Sequence, residues 1–107
     1  YINNKLLHER ALRVYANFEA TCGEDGAAEQ LFREGLAMSI QIECWPDVAD
    51  AQCALGRFLA QGGHKSDEGC ALLAEAAQHY KRMQLPELKM AEELISQLCA
   101  TCSKGAP

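Results

Sequence analysis

The stretch Trp45 to Gly63, WPDVADAQCALGRFLAQGG, constrains this chain more than any other. A proline stands in the first turn, where a helix needs no backbone donor, and apolar residues recur at Val48, Ala51, Leu55, Phe58 and Leu59 before a double glycine stops the run. After a short polar turn, Asp67 to Met83 gives a second helical pattern with small residues on one face, its N-cap expected at Ser66 or Asp67. Two amphipathic helices joined by a short turn make a helical hairpin, and such a unit cannot bury its apolar face alone. The rest of the chain must supply helices to cover it.

It does so on both sides. From Lys5 to Cys22, the residues Leu7, Ala11, Val14, Tyr15, Phe18 and Cys22 trace one helical face, expected to be the core face. Gly23 ends that helix, and Glu24 and Asp25 give the next one an acidic start. A second helix, Gly26 to Cys44, presents Ala28, Leu31, Phe32, Gly35 and Leu36, and is expected to be broken by Trp45-Pro46. In the fourth helix, Cys70, Leu73, Ala74, Ala77 and Tyr80 point to the core. Beyond Leu85-Pro86, a last helix from Pro86 to about Cys102 carries Ala91, Leu94, Ile95, Leu98 and Cys99, and Ser103 to Pro107 is expected to fray. No segment alternates with a period of two, so strands are not expected.

The totals narrow the function classes. A chain of 107 residues, 49% apolar and 23% charged, forms one domain able to bury a core without a metal or disulfides. Its net charge of -5, with ten basic residues scattered along the chain, argues against a nucleic-acid partner, which requires Lys and Arg clustered on one face. No apolar run approaches the roughly 20 residues that span a bilayer, so no membrane role is expected. The chain opens at Tyr1 and enters a helix directly, which reads as a segment of a larger protein. Cysteines at 22, 44, 53, 70, 99 and 102 fall within or at the ends of predicted helices, and are expected to be reduced packing residues of a cytoplasmic protein.

Internal offsets point to a repeat. Ala28, Leu31, Phe32 and Gly35 precede Cys70, Leu73, Ala74 and Ala77 by 42 positions, and Leu55 and Leu59 precede Leu94 and Leu98 by 39. A period near 40 with two helices per unit is that of an α-solenoid. The expected fold is therefore all-α, an α-α superhelix of two helical hairpins, about 5–44 and 46–83, plus a C-terminal helix at about 86–102.

Leu55-Gly56 and Leu59, followed by Cys70, Ala74 and Ala77, resemble the hallmark positions of a tetratricopeptide repeat; Val14, Tyr15 and Phe18, then Ala28, Phe32 and Gly35, match in the first pair. The long period and Pro46-Asp47-Val48-Ala49 resemble in particular the 42-residue variety of kinesin light chains, related to repeats in bacterial signalling ATPases and regulators. The chain departs from the pattern in lacking an aromatic near Gln52, in the length of the turn Gly62 to Asp67, and in where its prolines stand. The resemblance implies a concave groove lined by the first helix of each unit and used to bind a protein or peptide. Carried over to this chain, the groove positions are Glu9, Leu12, Ala16 and Glu19, then Asp50, Cys53 and Arg57, then Lys89, Glu92 and Ser96. With Arg57 and Lys89 its only basic members, this groove lacks the clamp used to hold a chaperone C-terminus.

Catalytic and metal chemistry find little support. Cys99-Ala100-Thr101-Cys102 is a CxxC at the wrong end of a helix for a low-pKa thiol, and no second ligand pair stands near it for zinc. His8, His64 and His79 have no motif around them, and the glycines form no phosphate loop. Glu9 with Arg13 and Glu29 with Arg33 are spaced as surface helix pairs. Trp45 is either packed on its own turn or an interface anchor. No enzyme activity, metal or cofactor is expected. The leading expectation is a protein-binding scaffold segment of a signalling, transport or regulatory protein. The alternatives are a homo-oligomerisation module working through exposed end helices, possible as a homodimer, and a thiol- or metal-responsive module using Cys99 and Cys102.

Overall fold

A computed structural model describes residues 2–62 and 65–99, with side chains from Lys5 onward. Gly63, His64, Cys102 and the tail at 103–107 lie outside the described residues. The architecture is all-α: α1 (Ile2–Thr21), α2 (Asp25–Gln41), α3 (Trp45–Gly62), α4 (Ser66–Met83) and α5 (Glu87–Leu98). The first four form two hairpins, α1–α2 and α3–α4. Helix α3 also packs on α2 and touches α5, while α5 rests mainly on α4.

Three of the helices stop in the same way. The N–H of Glu24 bonds to the carbonyl of Glu19 (2.8 Å), that of Cys44 to Ser39 (3.3 Å) and that of Leu85 to Tyr80 (2.9 Å). In each case the preceding residue takes a left-handed conformation: Gly23 at φ 85°, Glu43 at 55° and Gln84 at 56°. Helix α2 therefore ends at Gln41, ahead of the expected break at Trp45-Pro46, because the chain has already turned at Glu43. At the other end of the second hairpin, Ser66 and Asp67 lie inside α4, and Lys65 occupies the N-cap position expected of one of them.

The second hairpin closes through backbone contact. A Cβ on Gly56 would stand 2.7 Å from the Gly69 carbonyl oxygen and 3.0 Å from Leu73 Cγ, and one on Gly69 would stand 2.6 Å from both the Ala60 nitrogen and the Gly56 oxygen. Only glycine at both positions lets α3 and α4 come this close. This contact also sets the repeat register. Helix α2 buries Ala28, Phe32, Gly35 and Ser39, and α4 buries Gly69, Leu73, Ala76 and Tyr80, each 41 positions later. The expected offset of 42 is thus one residue too long. One residue is a rotation of roughly 100° on a helix, so Ala74 is exposed and Cys70 and Ala77 are only half-buried.

Helix α1 is turned the opposite way from the sequence expectation. Its inward face is Glu9, Leu12, Arg13, Ala16 and Ala20, while Leu7, Ala11, Val14, Tyr15, Phe18 and Cys22 are exposed. On this face Arg13 pairs with Glu9 and reaches Asp47 at the start of α3, and α2 meets α1 at Gly35, whose Cβ position would be in ordinary van der Waals contact, 3.6 Å from the Glu9 carbonyl oxygen and 3.7 Å from side-chain carbons of Leu12 and Arg13.

Two apolar clusters result. Ala16, Ala28, Phe32, Leu55 and Leu59 join the hairpins, with the Phe32 and Phe58 rings 5.3 Å apart. Ala49, Cys53, Leu73, Ala76, Tyr80, Ala91 and Cys99 hold α5 on the second hairpin. Here the expectation of six reduced cysteines is corrected: Cys70 and Cys99 are joined in a disulfide with Cα atoms 5.9 Å apart, and Cys22, Cys44 and Cys53 are free. Cys70 faces α5 because Gly69 has taken the inner position beside it.

Candidate interaction groove

A buried polar cluster ties α1 to the start of α3. Asp47 receives hydrogen bonds from Arg10 Nε and Nη2 (3.0 and 3.2 Å) and from Arg13 Nη2 (3.1 Å). Glu9 is fully buried, and Arg13 Nε lies 2.8 Å from its Oε2 as an ion pair too bent to count as a hydrogen bond. Burial pushes the Glu9 carboxyl up to about 7, with the neighbouring Asp47 carboxylate adding to the rise and Arg13 opposing it. Burial would raise Asp47 too, but hydrogen bonding from Arg10 outweighs it, with Cys44 adding to the effect, and holds this carboxyl at about 2. Of the two carboxyls, Glu9 is the one that takes up a proton first as pH falls. It is no groove residue, and its pair with Arg13 lies in the interior, not on the surface as its spacing suggests.

Asp50 is half-buried, takes a 2.5 Å hydrogen bond from the Tyr80 hydroxyl, and lies 3.8 Å from Arg13 Nη1. Burial, reinforced by this bond, raises the Tyr80 phenol. Cys53 is buried and its thiol is raised by burial, which makes it a packing residue and no nucleophile.

Above this cluster a cleft of about 190 Å³ opens between α3 and α5. Asp50, Cys53, Ala54 and Arg57 line it from α3, Met90 and Leu94 from α5, and Arg13 and Tyr80 complete it. At Ala54 and Arg57 it runs on into a hollow of about 460 Å³ between α1 and α3, where Asn17, Ala20, Thr21, Phe58 and Gln61 are found. Together they form one groove along α3. Arg57 sits at the junction, exposed, and makes no ion pair with another described residue. With Asp50 held by Tyr80 and Arg13, the accessible charge of the groove is positive, against the sign of the whole chain.

Of the residues expected here, Asp50, Cys53 and Arg57 are brought together. Lys89 and Glu92 are exposed on α5 but line neither hollow, because α5 turns Met90 and Leu94 to α3. Of the other carried-over positions, Ala16 is buried, Leu12 and Glu19 are half-buried, and Ser96 is exposed. Sequence reasoning missed Arg13 and Met90. The i, i+4 pair Met90 and Leu94 was the available signal on α5; nothing in the spacing of Arg13 distinguished it from a surface arginine.

Elsewhere, Glu29, Arg33, Lys65 and Glu68 form an exposed network from α2 to the start of α4, with contacts of 2.8–2.9 Å. Trp45 stacks on His79 of α4 at 6.3 Å between ring centroids rather than on its own turn. Among the described residues no group of three or more His, Cys, Asp or Glu is placed to hold a metal ion, and no helix is long and apolar enough to cross a membrane. Cys99 is committed to Cys70, while Cys102, the other half of the CxxC, lies outside the described residues. No protein-family model, curated protein or solved structure matches the chain.

Proposed function

We propose that this chain is a non-catalytic protein-interaction module, a tetratricopeptide-like segment of a scaffold in a signalling, transport or regulatory protein, that binds a peptide or partner helix along α3. The observation that carries this reading is the groove itself: an unpaired, exposed Arg57 between apolar walls of Ala54, Phe58, Met90 and Leu94. Apolar walls supply affinity, and a single central charge sets register and selects an acidic group on the ligand. The 41-residue recurrence of buried positions supports the repeat reading, as does the role of α3 as the shared element between hairpins. The free Cys22, Cys44 and Cys53 fit the cytoplasmic setting of this reading, while the Cys70–Cys99 disulfide favours an oxidising one.

The test is selection of binders from a displayed random-peptide library, followed by titration of a selected peptide. Selected sequences are expected to combine apolar residues with an acidic one. Arg57→Glu should weaken binding about tenfold or more, the effect of reversing a central charge in a small interface. Lys89→Glu should leave binding nearly unchanged, because Lys89 does not line the groove. Equal effects of the two substitutions, or binders that ignore both, would remove the groove from consideration.

A further inference from the structure

Four of the five helices are tied to one another by polar cross-links, and α5 is not. Arg10 and Arg13 of α1 bond to Asp47 of α3, Arg33 of α2 bonds to Glu68 of α4, and within the second hairpin Tyr80 reaches Asp50 and Gln52 reaches Glu75. Among the described residues no side chain of α5 forms a hydrogen bond or ion pair with another helix. Its hold on the molecule is apolar: Ala91 is its one fully buried residue, with Leu88, Leu94, Ile95 and Leu98 half-buried around it. Twelve residues are too few for a helix to persist on its own in water. What fixes its two ends is covalent. One end follows directly from the turn after α4, and the other carries Cys99, bonded to Cys70 near the start of α4.

We propose that the Cys70–Cys99 bond is a redox latch on the groove: closed, it keeps Met90 and Leu94 against α3, and opened by a dithiol reductant it releases α5, so that the groove loses a wall and its peptide. This rests on the groove being the binding site proposed above. The exchange is a balanced two-electron one. A thiolate of the reductant attacks one sulfur to form a mixed disulfide, its second thiol then displaces that cysteine, and the products are two protein thiols and the reductant's own disulfide. Cys70 is only half-buried, which leaves a path of approach. While the bond is closed, a detached α5 stays inside a loop spanning the 29 positions between the two cysteines, and cutting the bond frees that span and favours detachment. Leu94 stands less than two turns before Cys99, so the wall lies close to the latch. Cys53, a buried free thiol, packs in the same cluster as Ala91 and Cys99 and reports directly on whether α5 is in place. Three free thiols beside one disulfide suit a chain that meets both reducing and oxidising surroundings.

The experiment titrates a peptide selected on the oxidised chain against three samples: the oxidised chain, the chain reduced with dithiothreitol, and the double variant Cys70→Ser with Cys99→Ser. Affinity should fall about tenfold in the last two, within the usual range of coupling between linked sites, while circular dichroism shows most of the helix content kept. By linkage, saturating peptide should make the bond harder to reduce by the same factor, about 30 mV for a two-electron couple. Met90→Ala should weaken binding to the oxidised chain and have little effect on the reduced one, whereas Arg57→Glu should weaken both. A second readout needs no peptide. N-ethylmaleimide, with the modified residues located by peptide mapping, should label exposed Cys22 quickly in every sample, and should label buried Cys53 about tenfold or more faster in the double variant than in the oxidised chain. An affinity indifferent to the bond would overturn the latch and leave the groove standing. Unchanged protection of Cys53 would overturn the release of α5. Failure of every peptide to bind the oxidised chain would remove the groove, and the latch as its gate, even if Cys53 responds. Loss of helix content throughout the reduced chain would overturn the latch as well, by making the bond a support of the whole fold.

Discussion

Two residues show how far one side chain governs this structure. The first is Gly56, whose Cβ position is occupied by the Gly69 carbonyl and the Leu73 side chain. Alanine normally favours a helix by about 1 kcal/mol over glycine, yet at this site the overpacking cost of about 1–3 kcal/mol is larger. Gly56→Ala should therefore lower the urea midpoint. Gly26→Ala, where nothing stands within 4 Å, should leave it unchanged or raise it. The second residue is Glu9. Its folded-state carboxyl titrates at about 7 against an ordinary 4.5. The native state thus binds the proton more tightly than the unfolded chain, and stability present below about pH 4.5 is lost as pH rises through 7. Asp47 acts in the opposite sense, losing its contribution only as pH falls toward 2. The melting temperature should accordingly fall between pH 5 and pH 8, and Glu9→Gln should flatten that slope. A wild-type melting temperature that rises over this interval would contradict the assignment of the proton to Glu9.

At the scale of the element, helix ends repeat as faithfully as helix faces. Gly23 carries the left-handed turn after α1 without strain, but Glu43 and Gln84 adopt it with a side chain in place, at a cost of roughly 1 kcal/mol each. Gln84→Gly should raise unfolding free energy by about that amount, measured by chemical denaturation, with helix content unchanged. The same contrast explains what the sequence made legible. Proline and glycine announce their turns, so five helices and the hairpin pairing could be read directly. Left-handed Glu43 gives no such signal, and α2 was expected to run three residues too far. Apolar periodicity read the inner face of α3 correctly because that helix has neighbours on most sides. It misread α1, where the largest apolar residues face out and a buried glutamate faces in. Periodicity shows which residues share a face, but on α1 the face that goes inside is the one whose Glu9 and Arg13 join the polar cluster at Asp47. The groove was partly legible for the same reason: its α3 members were found and its α1 and α5 members were not.

Taken whole, the molecule measures 50 × 34 × 18 Å, a slab one hairpin thick in its short direction. Its least protected part is α5, a twelve-residue helix that lacks a hairpin partner among the described residues and supplies one wall of the groove. The Cys70–Cys99 disulfide fastens its far end to α4. Cross-linking a loop of this length stabilises by about 3 kcal/mol through the unfolded state. Adding dithiothreitol, or the pair Cys70→Ala and Cys99→Ala, should lower stability by that order, and peptide mapping without reduction should recover residues 70 and 99 in one linked fragment. A separate consequence of the same bond is mechanical. Drawn out from its two termini, the chain transmits tension through the sulfur atoms and bypasses the 29-residue span between them, which stays slack however far the first three helices unravel. Single-molecule extension should fall short of the full contour by about 100 Å, at some 3.5 Å per residue, and recover that length only after a thiol reductant is added.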